Sequence, residues 1–150
     1  MKYSFAGIVA ALFVFILYAC GKDKFETTPT IRVKDINTSE VNAPDGILKI
    51  TLEVTDKEGD GAGGDLTYIR VRTNSTPIPD PVNNDKADTA HATVPSYPKT
   101  DKVEMVLTIP YSFLDEDPTR NDTMYFKLTL KDSQSHQSDT ISTKSIAAVQ

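Results

Sequence analysis

Asp122-Thr123-Met124-Tyr125-Phe126-Lys127-Leu128-Thr129-Leu130-Lys131 decides the fold class of this chain. Met124, Phe126, Leu128 and Leu130 occupy every second position, and Tyr125, Lys127, Thr129 and Lys131 alternate with them, which is the period of a strand buried on one face. Leu48-Lys49-Ile50-Thr51-Leu52-Glu53-Val54-Thr55 repeats the pattern, with Lys49, Thr51, Glu53 and Thr55 expected to face water. Val103, Met105, Leu107 and Ile109 do the same around Glu104 and Thr108. Weaker candidates are Ile31 to Ile36, Leu66 to Arg72, His91 to Val94 and Thr140 to Ile146. About seven short strands separated by Asp, Gly, Asn and Pro clusters predict an all-β, antiparallel sandwich whose two sheets share one core. No strand alternates with a long helical pattern, which argues against a parallel α/β sheet.

The N-terminus has a different character. Lys2 precedes an uncharged apolar run from Phe5, which closes in Leu17-Tyr18-Ala19-Cys20 and gives way to Gly21-Lys22-Asp23-Lys24. A basic start, an apolar centre and a small residue before cysteine look like a bacterial lipoprotein signal peptide over 1–19, with Cys20 as the lipidated first residue of the mature chain. The competing readings are an uncleaved membrane anchor, which needs about 20 apolar residues, and a plain secretory signal. Cys20 is the chain's single cysteine. Its position at the end of the apolar run favours lipidation, and it leaves no thiol for an internal disulfide. Residues 20–29 are polar and read as a tether.

Cleavage would leave residues 20–150, the usual size of one domain, so residues 30–150 are expected to form a single sandwich. Lys2 leaves with the signal, so 15 basic residues face 21 acidic ones, a formal charge of −6. A chain of that sign repels phosphate backbones, which argues against nucleic acid as a partner.

Leu52-Glu53-Val54-Thr55-Asp56-Lys57-Glu58-Gly59-Asp60-Gly61, the strand from Asp122 to Asp132, and Ser138-Asp139-Thr140-Ile141 together resemble small immunoglobulin-like lipoproteins of the Bacteroidetes type. The resemblance spans nearly the whole mature chain. It implies an immunoglobulin-like fold and an outer-membrane location, and it specifies no activity. The mixed signs of Gly21-Lys22-Asp23-Lys24 leave the periplasmic and surface faces both open.

Asp56-Lys57-Glu58-Gly59-Asp60-Gly61 carries the sharpest chemistry. Carboxylates at Asp56, Glu58 and Asp60 followed by Gly61 reproduce the opening of a Ca²⁺ loop, whose alternate side chains converge on a hard cation. Thr67 stands where an EF-hand would place its bidentate Glu, and both flanks read as strands, so an EF-hand is excluded. Two readings stand: a turn between strands, with glycines taking positive φ, or a cadherin-like Ca²⁺ site completed by Asp115, Glu116, Asp117 or Asp132. Ca²⁺ is the one cofactor these residues suggest.

Asn74 to Asp101 holds five prolines and few apolar residues, and reads as a surface insertion or a stiff recognition loop. Asp88-Thr89-Ala90, Asp122-Thr123-Met124 and Asp139-Thr140-Ile141 match the Asp-Ser/Thr-apolar pattern of O-glycosylated exported proteins, and Thr89 is the one expected in an open loop.

The inventory for catalysis is thin. His91 and His136 are the only histidines, neither in a metal-ligand spacing, and His136 lies in the polar turn 133–138, where it is expected to be solvated. A carboxylate pair could in principle hydrolyse a glycosidic bond, yet the chain has no Trp to stack a sugar. The expectation is a monomeric, lipid-anchored envelope module without catalysis that binds an envelope protein, or alternatively a Ca²⁺-stabilised glycan- or adhesin-type domain.

Overall fold

The computed structural model describes residues 28–79 and 88–150. The signal peptide, Cys20 and all of the tether but its last two residues lie outside the described residues. Nine strands run in the order β1 Thr30–Ile36, β2 Glu40–Asn42, β3 Ile47–Thr55, β4 Asp65–Arg72, β5 Thr89–Thr93, β6 Lys102–Pro110, β7 Asp122–Lys131, β8 Ile141–Ser142 and β9 Ile146–Val149. A single turn of helix, α1 Tyr111–Leu114, follows β6. One sheet has the order β1-β3-β6; the other is β2-β9-β7-β4-β5, with β8 also on β7. Every pairing is antiparallel except β2 on β9. The chain is an immunoglobulin-like β-sandwich.

Alternation builds the core. From one sheet Ile31, Leu48, Ile50, Leu52, Val54 and Ile109 turn inward, and from the other Leu66, Met124, Phe126, Leu128, Leu130 and Ile146 meet them. Burying a side chain of this size contributes roughly 1.5–3 kcal/mol relative to leaving it exposed.

The described residues hold nine strands where about seven are expected, for local reasons. β2 is three residues long and pairs only with β9. The expected strand from Thr140 to Ile146 divides at Thr143, which pairs with β7 partly through its side chain: Phe126 N–H donates to Thr143 Oγ1, and Thr143 N–H to the Phe126 carbonyl, both at 2.9 Å.

Glu53 departs from the alternation rule. It belongs to the outward set of β3, yet it is only 7% exposed, because long cations from both neighbouring strands lie over it. Arg32 Nε donates to its Oε1 at 2.6 Å, and Lys102 Nζ lies 2.8 Å from Oε2. Those bonds, Arg32's first, hold the Glu53 carboxyl down at about 2 from its ordinary value of 4.5. A depressed folded-state value stabilises the protein fully above the unfolded value and fades as pH falls through the folded one. Between pH 4.5 and about 2 the wild type is therefore expected to lose more stability than Glu53→Gln. Urea denaturation at stepped pH would check this; parallel curves would show that the pair contributes nothing.

Candidate metal centre at one end of the sandwich

The β3–β4 connection carries Asp56 and Asp60, and Asp132 follows the last residue of β7. Pairing of Asp65 with Lys131 brings the two segments to the same end of the sheet. There the carboxylates of Asp56, Asp60 and Asp132 each place an oxygen within 4.8 Å of the other two. An ion with Ca²⁺–oxygen distances of roughly 2.3–2.6 Å has ligands no more than about 5 Å apart. The cluster meets that limit.

Backbone geometry accounts for the convergence. Asp56 accepts the Glu58 N–H on Oδ1 at 3.0 Å and the Asp60 N–H on Oδ2 at 3.1 Å, which folds the segment back on itself. Gly59 takes φ 64°, a conformation that favours glycine. A Cβ on Gly61 would stand 2.6 Å from the Tyr97 hydroxyl, so glycine there lets that ring lie against the turn. The Asp60 carbonyl accepts from the Ser133 hydroxyl at 2.9 Å, tying the two segments together. Asp132 accepts the N–H groups of Gln134 and His136 on Oδ1 at 2.9 and 2.8 Å.

Three carboxylates in a partly covered place disfavour their own charge. Burial pushes the Asp60 carboxyl up, and the neighbouring Asp56, Asp132 and Glu58 add to it. Its Oδ1 is buried without a hydrogen-bond partner. Burial likewise raises the Tyr97 phenol, reinforced by Asp56 and Asp60. A divalent cation would relieve this repulsion, and its donor set here is hard oxygen, which suits Ca²⁺.

Of the expected ligands, Asp56 and Asp60 stand in the cluster and Glu58 does not; its backbone N–H is what serves Asp56. Of the candidate partner residues, Asp132 is the one brought in. Asp115, Glu116 and Asp117 follow α1, near the start of β7, whereas Asp132 lies past its end. Ten residues of extended chain separate those ends by about 30 Å.

The far end has its own network, which sequence reasoning missed. Arg70 is 1% exposed; it donates to Glu116 and to the Phe113 carbonyl, and its guanidinium lies 4.9 Å from the Phe113 ring centre. Arg72 Nε donates to Asp122 Oδ1 at 2.6 Å, and Asp122 Oδ2 accepts the Glu116 and Asp117 N–H groups at 2.7 Å each. The hint was in β4, where Arg70 and Arg72 share the inward register of Leu66 and Tyr68.

Two smaller expectations need correction. Thr89 is exposed but opens strand β5 opposite Ile69, because β4 recruits this edge, while Thr140 is the exposed threonine outside a strand. His136 is not a freely solvated residue: its Nδ1 lies 3.1 Å from Asp132 Oδ2, and it is half-buried. His91, on β5, lies with Nδ1 2.9 Å from Asp65 Oδ2, a contact between strands that spacing along the chain cannot reveal.

The fold and this end of it define an immunoglobulin-like sandwich with a clustered acidic turn. No protein-family model and no curated protein matches the chain. Among solved structures it is similar to the sporulation control protein Spo0M of Bacillus subtilis, at 12% identity and a TM-score of 0.43, covering 82% of this chain and 50% of that one. It is also similar to a β-glucosidase of Kluyveromyces marxianus crystallised with glucose, at 12% identity and a TM-score of 0.39, covering 82% of this chain and 15% of that one. The chain thus spans half the length of the first and a small part of the second.

Proposed function

We propose that this chain is a non-catalytic interaction module of the bacterial cell envelope, held to the outer membrane by lipid on Cys20. The observation that carries the reading is the use made of its charged residues. Glu53 closes on Arg32 and Lys102, and Asp122 on Arg72 and the turn at 116–117, so the charges serve to fix strands and loops. A rigid sandwich presenting fixed loops and strand edges suits binding. Cys20→Ser is expected to abolish lipid labelling and to move the protein from the membrane to the soluble fraction. If the variant still sediments wholly with membranes as an uncleaved precursor, the apolar run is itself the anchor.

A second reading is favoured by the convergence of Asp56, Asp60 and Asp132: a Ca²⁺-stabilised glycan- or adhesin-type binding domain. In it the ion would be held by these three carboxylates and would fix the turn against which Tyr97 lies. The two readings are compatible, because an anchored module can carry a structural ion.

A further inference from the structure

Among the described residues five strands have a free edge: β1 and β6 in one sheet, and β2, β5 and the two-residue β8 in the other. Edge strands offer unpaired backbone groups to any passing strand, and proteins blunt them with bulges or by keeping them short. β1 carries a register shift between Val33 and Asp35, β2 has three residues and β5 has five. β6 has nine, in unbroken register with β3.

The phase of its hydrogen bonds is fixed at both ends. Tyr111 N–H donates to the Gly46 carbonyl at 2.8 Å, and Asp56 N–H to the Asp101 carbonyl at 2.9 Å, each between residues directly opposite in the β3–β6 register. Bonded and non-bonded pairs alternate in an antiparallel ladder. The odd-numbered residues of β6 therefore bond to β3, and Lys102, Glu104, Val106 and Thr108 turn their N–H and C=O groups to the free edge. Lys102 spends its groups on Thr100 Oγ1. Among the described residues no backbone hydrogen bond reaches those of Glu104, Val106 and Thr108 from outside the sheet. At the middle of this row Val106 is 55% exposed, one of two large apolar side chains so open among the described residues. Beside it runs a groove of about 340 Å³, floored by Leu66, Ala92, Val94, Val103, Met105 and Leu107.

We propose that the β6 edge is a self-association surface, on which a second copy of this chain pairs its own β6 antiparallel about a two-fold axis through Val106. The register is self-complementary. Val106 meets Val106, and Glu104 meets Thr108 of the second copy; both are bonded pairs using the groups left free. On the inner face Met105 meets Leu107 of the second copy and covers part of the groove. No like charges stand opposite one another, since Lys102 faces Pro110, whereas a two-fold axis through Glu104 would oppose two carboxylates. The two three-stranded sheets become one continuous sheet. This association replaces the monomer expected from the sequence, and it depends on neither lipid nor calcium.

The test is cross-linking in detergent with a short bis-maleimide of the full chain carrying Cys20→Ser, which removes the native thiol, on Val106→Cys, on Thr51→Cys as a control one strand inward, and on the Cys20→Ser parent. Val106→Cys is expected to give a covalent dimer, and the other two none. Sedimentation then reads the register. Thr108→Glu, which sets carboxylates opposite Glu104, should weaken the dimer by about tenfold, or about 1.4 kcal/mol, and adding Glu104→Lys should restore it. Absence of a Val106→Cys dimer, cross-linking only to a different protein, or a dimer indifferent to the charge pair would each overturn the proposal.

Discussion

Leu128→Asp is expected to unfold the domain outright. Leu128 is fully buried in β7, the strand on which the second sheet is assembled, with Met124, Phe126 and Leu130 on the same inward face. Removing a buried leucine side chain costs about 2–5 kcal/mol on its own. An unpaired carboxylate in its place adds several more. Together these match the whole stability of a typical domain, about 5–15 kcal/mol. Thr129→Asp, one residue along and facing outward, is expected to cost no more than about 1 kcal/mol. Circular dichroism melts of the two variants would separate them by tens of degrees; equal shifts would refute the register of β7.

The second large effect belongs to Asp122→Ala. This carboxylate has no solvent exposure and satisfies three donors, the Glu116 and Asp117 N–H groups and Arg72 Nε. Its loss leaves two buried N–H groups and Arg72 Nε without this partner, while Arg72 Nη1 keeps its bond to the Thr76 carbonyl. Breaking a buried ion pair from one side costs about 3–5 kcal/mol, a melting shift of more than about 10 °C for a domain of this size. Asp139→Ala, at an exposed position, is expected to stay within about 0.5 kcal/mol of wild type. Equal behaviour of the two would mean that the Asp122 network is not holding the far end closed.

The contrast between these residues shows which features were readable in the sequence. Leu128 belongs to a strict two-residue alternation, and burial follows from that period directly, so β1, β3, β4, β6 and β7 fall close to their expected bounds. Asp122 has no such signature. Arg72 arrives from β4, 50 residues away, while the Glu116 and Asp117 N–H groups come from the connection just before Asp122, and burial of Arg70 runs against the ordinary preference of arginine for water. Pairing of the long strands makes those contacts, and periodicity cannot name them. β2 was missed because three residues cannot show a period. Glu53 was misread because the covering cations come from other strands. In the acidic turn, Asp56 and Asp60 were legible from the Asp-Gly spacing, and Asp132 entered only as one of four candidates; the β4–β7 register decides among them by putting Asp65 opposite Lys131.

That turn is where fold and proposed function meet, and calorimetry tests it most directly. If Asp56, Asp60 and Asp132 hold Ca²⁺, the ion stabilises the folded state by RT ln(1 + [Ca²⁺]/Kd), or about 1.4 kcal/mol at millimolar calcium for a site of roughly 0.1 mM. For a domain of this size that is a rise of several degrees in Tm. The lipid-free chain carrying Cys20→Ser should show the rise when calcium replaces chelator. Asp56→Asn combined with Asp60→Asn should erase it while the domain still folds, because the Oδ1 of asparagine still accepts the Glu58 N–H and only the bond from the Asp60 N–H is lost. Identical melting temperatures with calcium and with chelator would contradict the site, and would leave Asp56, Asp60 and Asp132 as residues that only shape two turns.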